Sequence, residues 1–159
     1  MRLHLGCGDK YWPGWTNVDK FVANADVISD CTKLDQFEES QVEEIQALHL
    51  LEHFHRVVAE NAIRNWYRVL KPGGKLVLEL PCLDKIAKMI IEKEPNMRLT
   101  LFGIFGNPKE EKPGMEHKWA WTQEELEVTL KSAGFVDIQF VEPKFHIAKR
   151  DMRVEAFKR

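Results

Sequence analysis

Residues Arg2 to Asp19 read RLHLGCGDKYWPGWTNVD, and the rest of the chain is best read outward from them. Leu3-His4-Leu5 is a short apolar strand running straight into Gly6-Cys7-Gly8, a turn whose missing side chains let backbone N–H groups approach a ligand. Eleven residues past Gly8, Asp19 closes a second strand from Thr16 to Val18. An acidic side chain there can accept both hydroxyls of a ribose, although it could also merely terminate the strand. The link between the two strands is short for a parallel crossover, which normally takes a dozen residues or more. Tyr11, Trp12, Pro13, Gly14 and Trp15 fill it, so a full first helix is not expected. The two tryptophans are read as packing that replaces that helix rather than as a substrate box.

Beyond Asp19, short apolar runs alternate with helical patterns, as a mostly parallel sheet covered by helices requires. Asp26 to Ser29 reads as a third strand and Glu44 to Leu50 as a fourth. Lys75 to Leu80 is the fifth, launched by Pro72-Gly73-Gly74 and stopped by Pro81. Between the fourth and fifth, Val58, Ala62, Ile63, Trp66, Val69 and Leu70 recur at helical spacing, with Arg64, Arg68 and Lys71 toward the C-terminal end where cations suit the helix dipole. A further helix runs from about Asp84 to Glu94 and is ended by Pro95. Another starts at the capping box Thr122-x-x-Glu125, buries Leu126, Leu130 and Ala133, and is capped by Gly134. Phe135 to Glu142 and Met152 to Lys158 alternate apolar and polar residues, which suits a closing antiparallel hairpin.

Composition narrows the function classes. The 159 residues carry 23 Lys+Arg against 25 Asp+Glu, a formal net charge of -2, so no global basic field draws the chain to nucleic acid or an anionic membrane. The basic C-terminal residues, Lys144 to Arg159, read as a solvated edge. The longest stretch without Asp, Glu, Lys or Arg is the ten residues Leu99 to Pro108, too short for a membrane span. No signal-peptide pattern precedes the first strand, so a cytoplasmic location is expected. Cys7, Cys31 and Cys82 form no CxxC pair, which argues for reduced thiols.

The order of glycine turn, ribose acid, Asp30 at the end of the third strand, crossing helix and Leu70-Lys71-Pro72-Gly73-Gly74 resembles the class I S-adenosylmethionine-dependent methyltransferases. The nearest group carries the pattern LGCG...PGW.NVD...EH...R.LKPGG, here Leu5 to Gly8, Pro13 to Asp19, Glu52-His53 and Arg68 to Gly74. The likeness continues from Thr122 to Phe135. It implies an α/β, Rossmann-like methyltransferase fold over residues 1–159 as one domain: a mostly parallel seven-stranded sheet in the order 3-2-1-4-5-7-6 with an antiparallel last strand. It also implies the reaction, transfer of a methyl group from S-adenosylmethionine with S-adenosylhomocysteine as product. Gly6, Cys7 and Gly8 would pass under the methionine part, Asp19 would hold the ribose, Asp30 and the Cys31 backbone would face the adenine, and Leu48-His49 would lie beside the sulfonium. The acceptor is left open; the look-alikes point to a small molecule or a glycan. Three features depart from the pattern: His4 stands where an acid is usual, Lys10 where a third glycine is usual, and the first crossover is abridged. N-terminal lid helices are not expected ahead of a strand that opens the sequence.

Methyl transfer to a hydroxyl or carboxyl can use a base. His53 and Glu52 are the candidates, their alternative being to cap the following helix or pin the loop. His49-Leu50-Leu51-Glu52-His53 matches the HxxEH zinc pattern, which needs both histidines on one helical face. It straddles a strand end with no third ligand framed downstream, so no metal is expected. The segment 95–116, with three glycines and two interior prolines, reads as an irregular cover over the cofactor site. Leu101, Phe102, Ile104 and Phe105 would face inward, Lys109 to Lys112 would lie in solvent, Gly103 and Gly106 would act as pivots, and His117 and Trp119 would enter the acceptor pocket near His53. The competing use of this segment is a homodimer contact. Two other functions remain: a cofactor- or partner-binding module without catalysis, and an NAD-dependent dehydrogenase, for which the G-x-G-x-x-G turn and helix are missing.

Overall fold

The structure is a computed structural model describing residues 1–109 and 114–159. Its seven-stranded sheet has the order β3-β2-β1-β4-β5-β7-β6, with β1 Arg2–Leu5, β2 Thr16–Asp19, β3 Val27–Ile28, β4 Val42–Leu48, β5 Leu70–Pro81, β6 Phe135–Val141 and β7 Asp151–Lys158. β1 pairs in parallel with β2 and β4, β2 with β3, and β4 with β5. β7 runs antiparallel between β5 and β6. This is the sheet expected from the sequence. Parallel strands put their C-terminal ends on one edge, and ligands of such sheets bind there, where the strand order reverses. In this sheet the reversal falls at β1 and β4.

The core lies on one face. Leu3 and Leu5 of β1, Ile45 and Ala47 of β4, Leu76, Leu78 and Leu80 of β5, and Met152, Val154 and Ala156 of β7 alternate into a single cluster. They meet α1, Arg56–Val69, through Ala59, Ala62, Ile63 and Trp66, and α4, Gln123–Ala133, through Leu126 and Leu130. The alternate positions face the other way and are mostly polar, with Val77 and Phe157 among the apolar exceptions. There Lys75 pairs with Glu155 at 2.6 Å, and Arg153 pairs with the fully buried Glu79 at 3.1 Å. Glu79 also accepts the backbone N–H groups of Lys144, Phe145 and His146, which anchors the loop between β6 and β7.

No helix lies between β1 and β2. Asn17, fully buried, does its work: its amide donates to the Trp12 and Trp15 carbonyls and to Asp26, while its oxygen accepts from Trp12 N–H and lies 3.2 Å from His4 Nδ1. Trp12 stacks on His4 at 4.0 Å and touches Trp15 and Phe145, so the tryptophans pack as anticipated.

Several boundaries move. β4 ends at Leu48, because His49 takes a left-handed φ of 51° and turns the chain away. β5 begins at Leu70, paired with Val42, and resumes at Lys75 opposite Glu44 after a register shift around the Pro72-Gly73-Gly74 turn. α2 spans Leu83–Ile91. The largest correction concerns the segment read as irregular, where Met97–Phe105 is a helix, α3, capped by the Asn96 side chain on Leu99 N–H. Its residues are apolar on every side, so no period announces it. Gly103 is no pivot but a packing contact, since a Cβ there would come within 2.6 Å of Ile86 on α2. Leu101 and Phe105 are 41% and 68% exposed rather than turned inward, whereas Thr100 and Gly103 are buried. Of the Lys109 to Lys112 run, Lys109 is exposed and 110–112 lie outside the described residues.

The capping box at Thr122 is half formed. Thr122 Oγ1 accepts Glu125 N–H, but the Glu125 carboxylate bonds Arg56 instead of closing the box. Gly134 ends α4 at φ 106°, with the Tyr67 ring 2.9 Å from where a Cβ would sit. Gly134→Ala is therefore expected to cost about 1–2 kcal/mol, roughly 2–8 °C in Tm, read by thermal unfolding. An unchanged Tm would mean that Tyr67 moves aside freely.

Candidate functional site

The C-terminal strand ends open on a cleft of about 370 Å³, within the usual size of small-molecule sites. Of the residues expected to hold a cofactor, Gly6, Gly8, Asp19, Asp30, Cys31 and His49 line it. Gly6 and Gly8 have φ of 63° and 52°, and a Cβ on Gly6 would lie 2.7 Å from Leu50. Glycine is thus favoured at Gly6 by its left-handed φ, and a larger residue would also have to displace the Leu50 side chain. The turn is tied to β2 by Gly6 N–H donating to the Val18 carbonyl. Cys7 and Leu48 instead border a neighbouring hollow of about 250 Å³ with Trp12, Phe145 and His146. Gly6, Gly8 and His49 line both spaces.

Asp19 is 8% exposed and oriented from two directions. Gly8 N–H donates to Oδ2 at 3.0 Å and Phe21 N–H to Oδ1 at 2.8 Å. A carboxylate has about four acceptor sites. Those two bonds leave one on each oxygen, which is what a vicinal diol needs. Asp30 accepts Thr32 N–H at 3.0 Å and Thr32 Oγ1–H at 2.7 Å. Burial pushes its carboxyl up, but the Thr32 bonds and Lys20 hold it below the usual range. Beneath it, Cys31 gives its carbonyl to the Trp66 indole at 2.8 Å, and Asn65 donates to the Thr32 carbonyl. Helix α1 therefore holds the floor of the cleft. Burial raises the Cys31 thiol to about 12 and the Cys7 thiol to about 11, so neither is a nucleophile at neutral pH.

The other end of the cleft is a histidine and carboxylate cluster on the turn Leu51–His53. His49 Nδ1 lies 3.0 Å from Glu52 Oε1, and its Nε2 lies 3.4 Å from Asp151 Oδ2. Burial alone would push the His49 imidazole down, yet the two carboxylates raise it to about 9. Asp151, which Arg150 also clasps, is lowered to about 2 despite its burial. Glu52 is 1% exposed and does not reach the cleft wall; His53 does. His53 Nδ1 meets the Glu116 carbonyl at 3.2 Å, and His117 Nδ1 meets the Gly103 carbonyl at 3.1 Å. A carbonyl only accepts, so each Nδ1 is the donor, and each neutral ring keeps its lone pair on Nε2.

After α3, Gly114, Met115 and Lys118 line the cleft, whereas Leu101, Phe102, Ile104 and Phe105 are not among its lining residues. Lys118 and Trp119 N–H both reach the Glu52 carbonyl, which brings the His117 ring to 4.9 Å from that of His53. Trp119 turns outward, its indole on Glu125 and its ring under Arg56. Two wall residues went unrecognised. Phe21, 65% exposed and two residues after Asp19, packs under Gly114. Val58, expected in the core, is 41% exposed and faces the cleft. A large apolar residue two positions after Asp19, beyond the strand end, was the available signal for the first; helical period alone cannot separate a core face from a cleft wall.

The family model described as "Methyltransferase domain" matches residues 10–78. No curated protein is significantly similar to the chain in sequence. Among solved structures, an S-adenosylmethionine-dependent methyltransferase from Methanosarcina mazei is 16% identical, with 99% of this chain and 91% of that one covered at a TM-score of 0.67. One from Archaeoglobus fulgidus is 15% identical, covering 99% and 85% at 0.66. A protein from Bordetella parapertussis described as a possible exported protein is 16% identical at 0.63, and this chain spans 61% of its length. These likenesses are to the fold.

Proposed function

We propose, from the premise that this chain has the class I S-adenosylmethionine-dependent methyltransferase fold, that it transfers the methyl group of S-adenosylmethionine to a small molecule or a sugar of a glycan. The observation that carries the reading is Asp19, buried, preset by Gly8 and Phe21 N–H, and lining the cleft beside a glycine turn of positive φ. These groups fit the cofactor's ribose and chain. When bound, S-adenosylmethionine supplies a methyl group activated by a sulfonium. The protein's share is position and closure. His53, on the cleft wall with its Nε2 lone pair free, is the group assigned to the acceptor, and it takes the proton of a hydroxyl or carboxyl. His49 cannot share that task, because the carboxylates beside it keep its ring charged at neutral pH.

Incubating the purified chain with methyl-labelled S-adenosylmethionine and fractionated cell extract tests this. A labelled product in the small-molecule or glycan fraction is expected. Cofactor binding by calorimetry with no labelled product in any fraction would replace the enzyme with a non-catalytic binding module. Binding of NAD with no heat from S-adenosylmethionine would favour the dehydrogenase.

A further inference from the structure

We propose that Glu52, His53 and His117 form a binding site for one divalent first-row transition-metal ion, of the zinc, manganese or cobalt kind, at the acceptor end of the cleft. Binding of the ion is independent of the methyl-transfer reading; only its use toward an acceptor rests on that reading.

One ligand atom from each of the three side chains lies within 4.8 Å of the others, close enough for a single ion to gather them. The carboxylate is the telling group. Glu52 is 1% exposed, and no hydrogen-bond donor is aligned on either oxygen. Its nearest charged neighbour, His49 Nδ1, sits 3.0 Å from Oε1 without that alignment. Oε2 has no donor among the described residues, and a buried carboxylate oxygen without one is costly. The imidazoles are preset as well. Each of His53 and His117 gives its Nδ1 proton to a backbone carbonyl, of Glu116 and Gly103, and presents Nε2. Metal-binding histidines have this outer arrangement almost without exception, because it fixes both tautomer and ring orientation.

A second cluster, His49, Glu79 and His146, meets the same distance test and fails on chemistry. Glu79 accepts three backbone N–H groups and Arg153, so its lone pairs are taken. Glu52 accepts none. Two nitrogens and one carboxylate suit zinc, manganese, cobalt or iron, whereas calcium and magnesium favour oxygen. Of the three, His53 also lines the cleft, which places the cluster at the cleft's edge. The ion would sit on the lone pair assigned above to the acceptor's proton, and that proton would then pass to water.

Titration of chelator-stripped protein with cobalt(II), followed by visible d–d absorption, and with zinc and manganese by calorimetry, tests the site without any cofactor. One ion per chain is expected, together with a metal-dependent rise in Tm. Glu52→Gln, His53→Ala and His117→Ala should each weaken binding at least about 100-fold, since even outer-partner changes cost roughly 10–100-fold. His146→Ala should leave it within about twofold. Circular dichroism of the stripped variants identifies any that fail to fold, and the remaining ones decide. No binding of any of the three ions overturns the proposal, as does binding that survives Glu52→Gln and His117→Ala but is lost in His146→Ala. Separate calorimetry with S-adenosylmethionine keeps the two readings apart: cofactor heat without metal binding sinks this inference alone.

Discussion

Asp19→Ala is expected to weaken S-adenosylmethionine and S-adenosylhomocysteine binding by about 100-fold or more. The carboxylate is 8% exposed and carries one free acceptor position on each oxygen for a ribose diol. Two charge-assisted hydrogen bonds at about 1.5 kcal/mol each, the low end of their range, amount to roughly 3 kcal/mol, about 100-fold in Kd. Asp19→Asn keeps the shape but turns an NH₂ toward one of the two N–H groups it must accept, Gly8 or Phe21, and a loss of at least about tenfold is expected. Calorimetry with both ligands reads the loss, and circular dichroism shows whether the turn between β1 and β2 survives. If a folded Asp19→Ala binds as tightly as the parent chain, Asp19 is a strand-end residue and the ribose assignment is wrong.

The largest effect on stability is expected at Trp66. Its ring is fully buried between α1 and the sheet, and its indole N–H satisfies the Cys31 carbonyl at 2.8 Å. Trp66→Ala leaves a cavity costing about 3–5 kcal/mol and strips a buried carbonyl of its partner for about 1–3 kcal/mol more. Natural domains hold about 5–15 kcal/mol in all, so this variant should be largely unfolded or close to it. Trp66→Phe separates the two contributions. It retains most of the ring volume and loses the bond, and an unfolding free energy lowered by about 1–3 kcal/mol in denaturant titration is expected. Because Cys31 lines the cleft, cofactor affinity should fall in the same variant. A destabilised Trp66→Phe with unchanged affinity would show that α1 supports the core but not the cleft floor.

Some links between helix and site could not be read from spacing. Arg68 looked like a cation placed for the helix dipole, but its guanidinium donates to the Phe37 and Leu34 carbonyls and so fastens the loop between β3 and β4 to α1. The reason is length: an arginine reaches backbone thirty residues away in the chain, and periodicity reports only its own face. His4, in place of the customary acid, also has a local explanation. It stacks under Trp12 and lies against Asn17, in space that a first helix would otherwise fill. Its imidazole is held below its usual pKa mainly by burial.

The strand order came from the likeness to a known family, while the sequence by itself determined the first strands, the glycine turn, the short first crossover and the closing hairpin. Each depends on neighbours in the chain: alternation with period two, glycine where φ must be positive, and a link too short for a helix. Only the tertiary structure decided α3, the direction of Trp119, the cleft-facing side of Val58, and the meeting of Glu52, His53 and His117. His117 stands 64 residues after His53, and it reaches the cluster because Lys118 and Trp119 N–H bond the Glu52 carbonyl and Gly106 lets the chain turn tightly past Met115 and His117. Such a meeting leaves no period and no spacing in the chain, because it comes from closing a loop and not from repeating a local conformation.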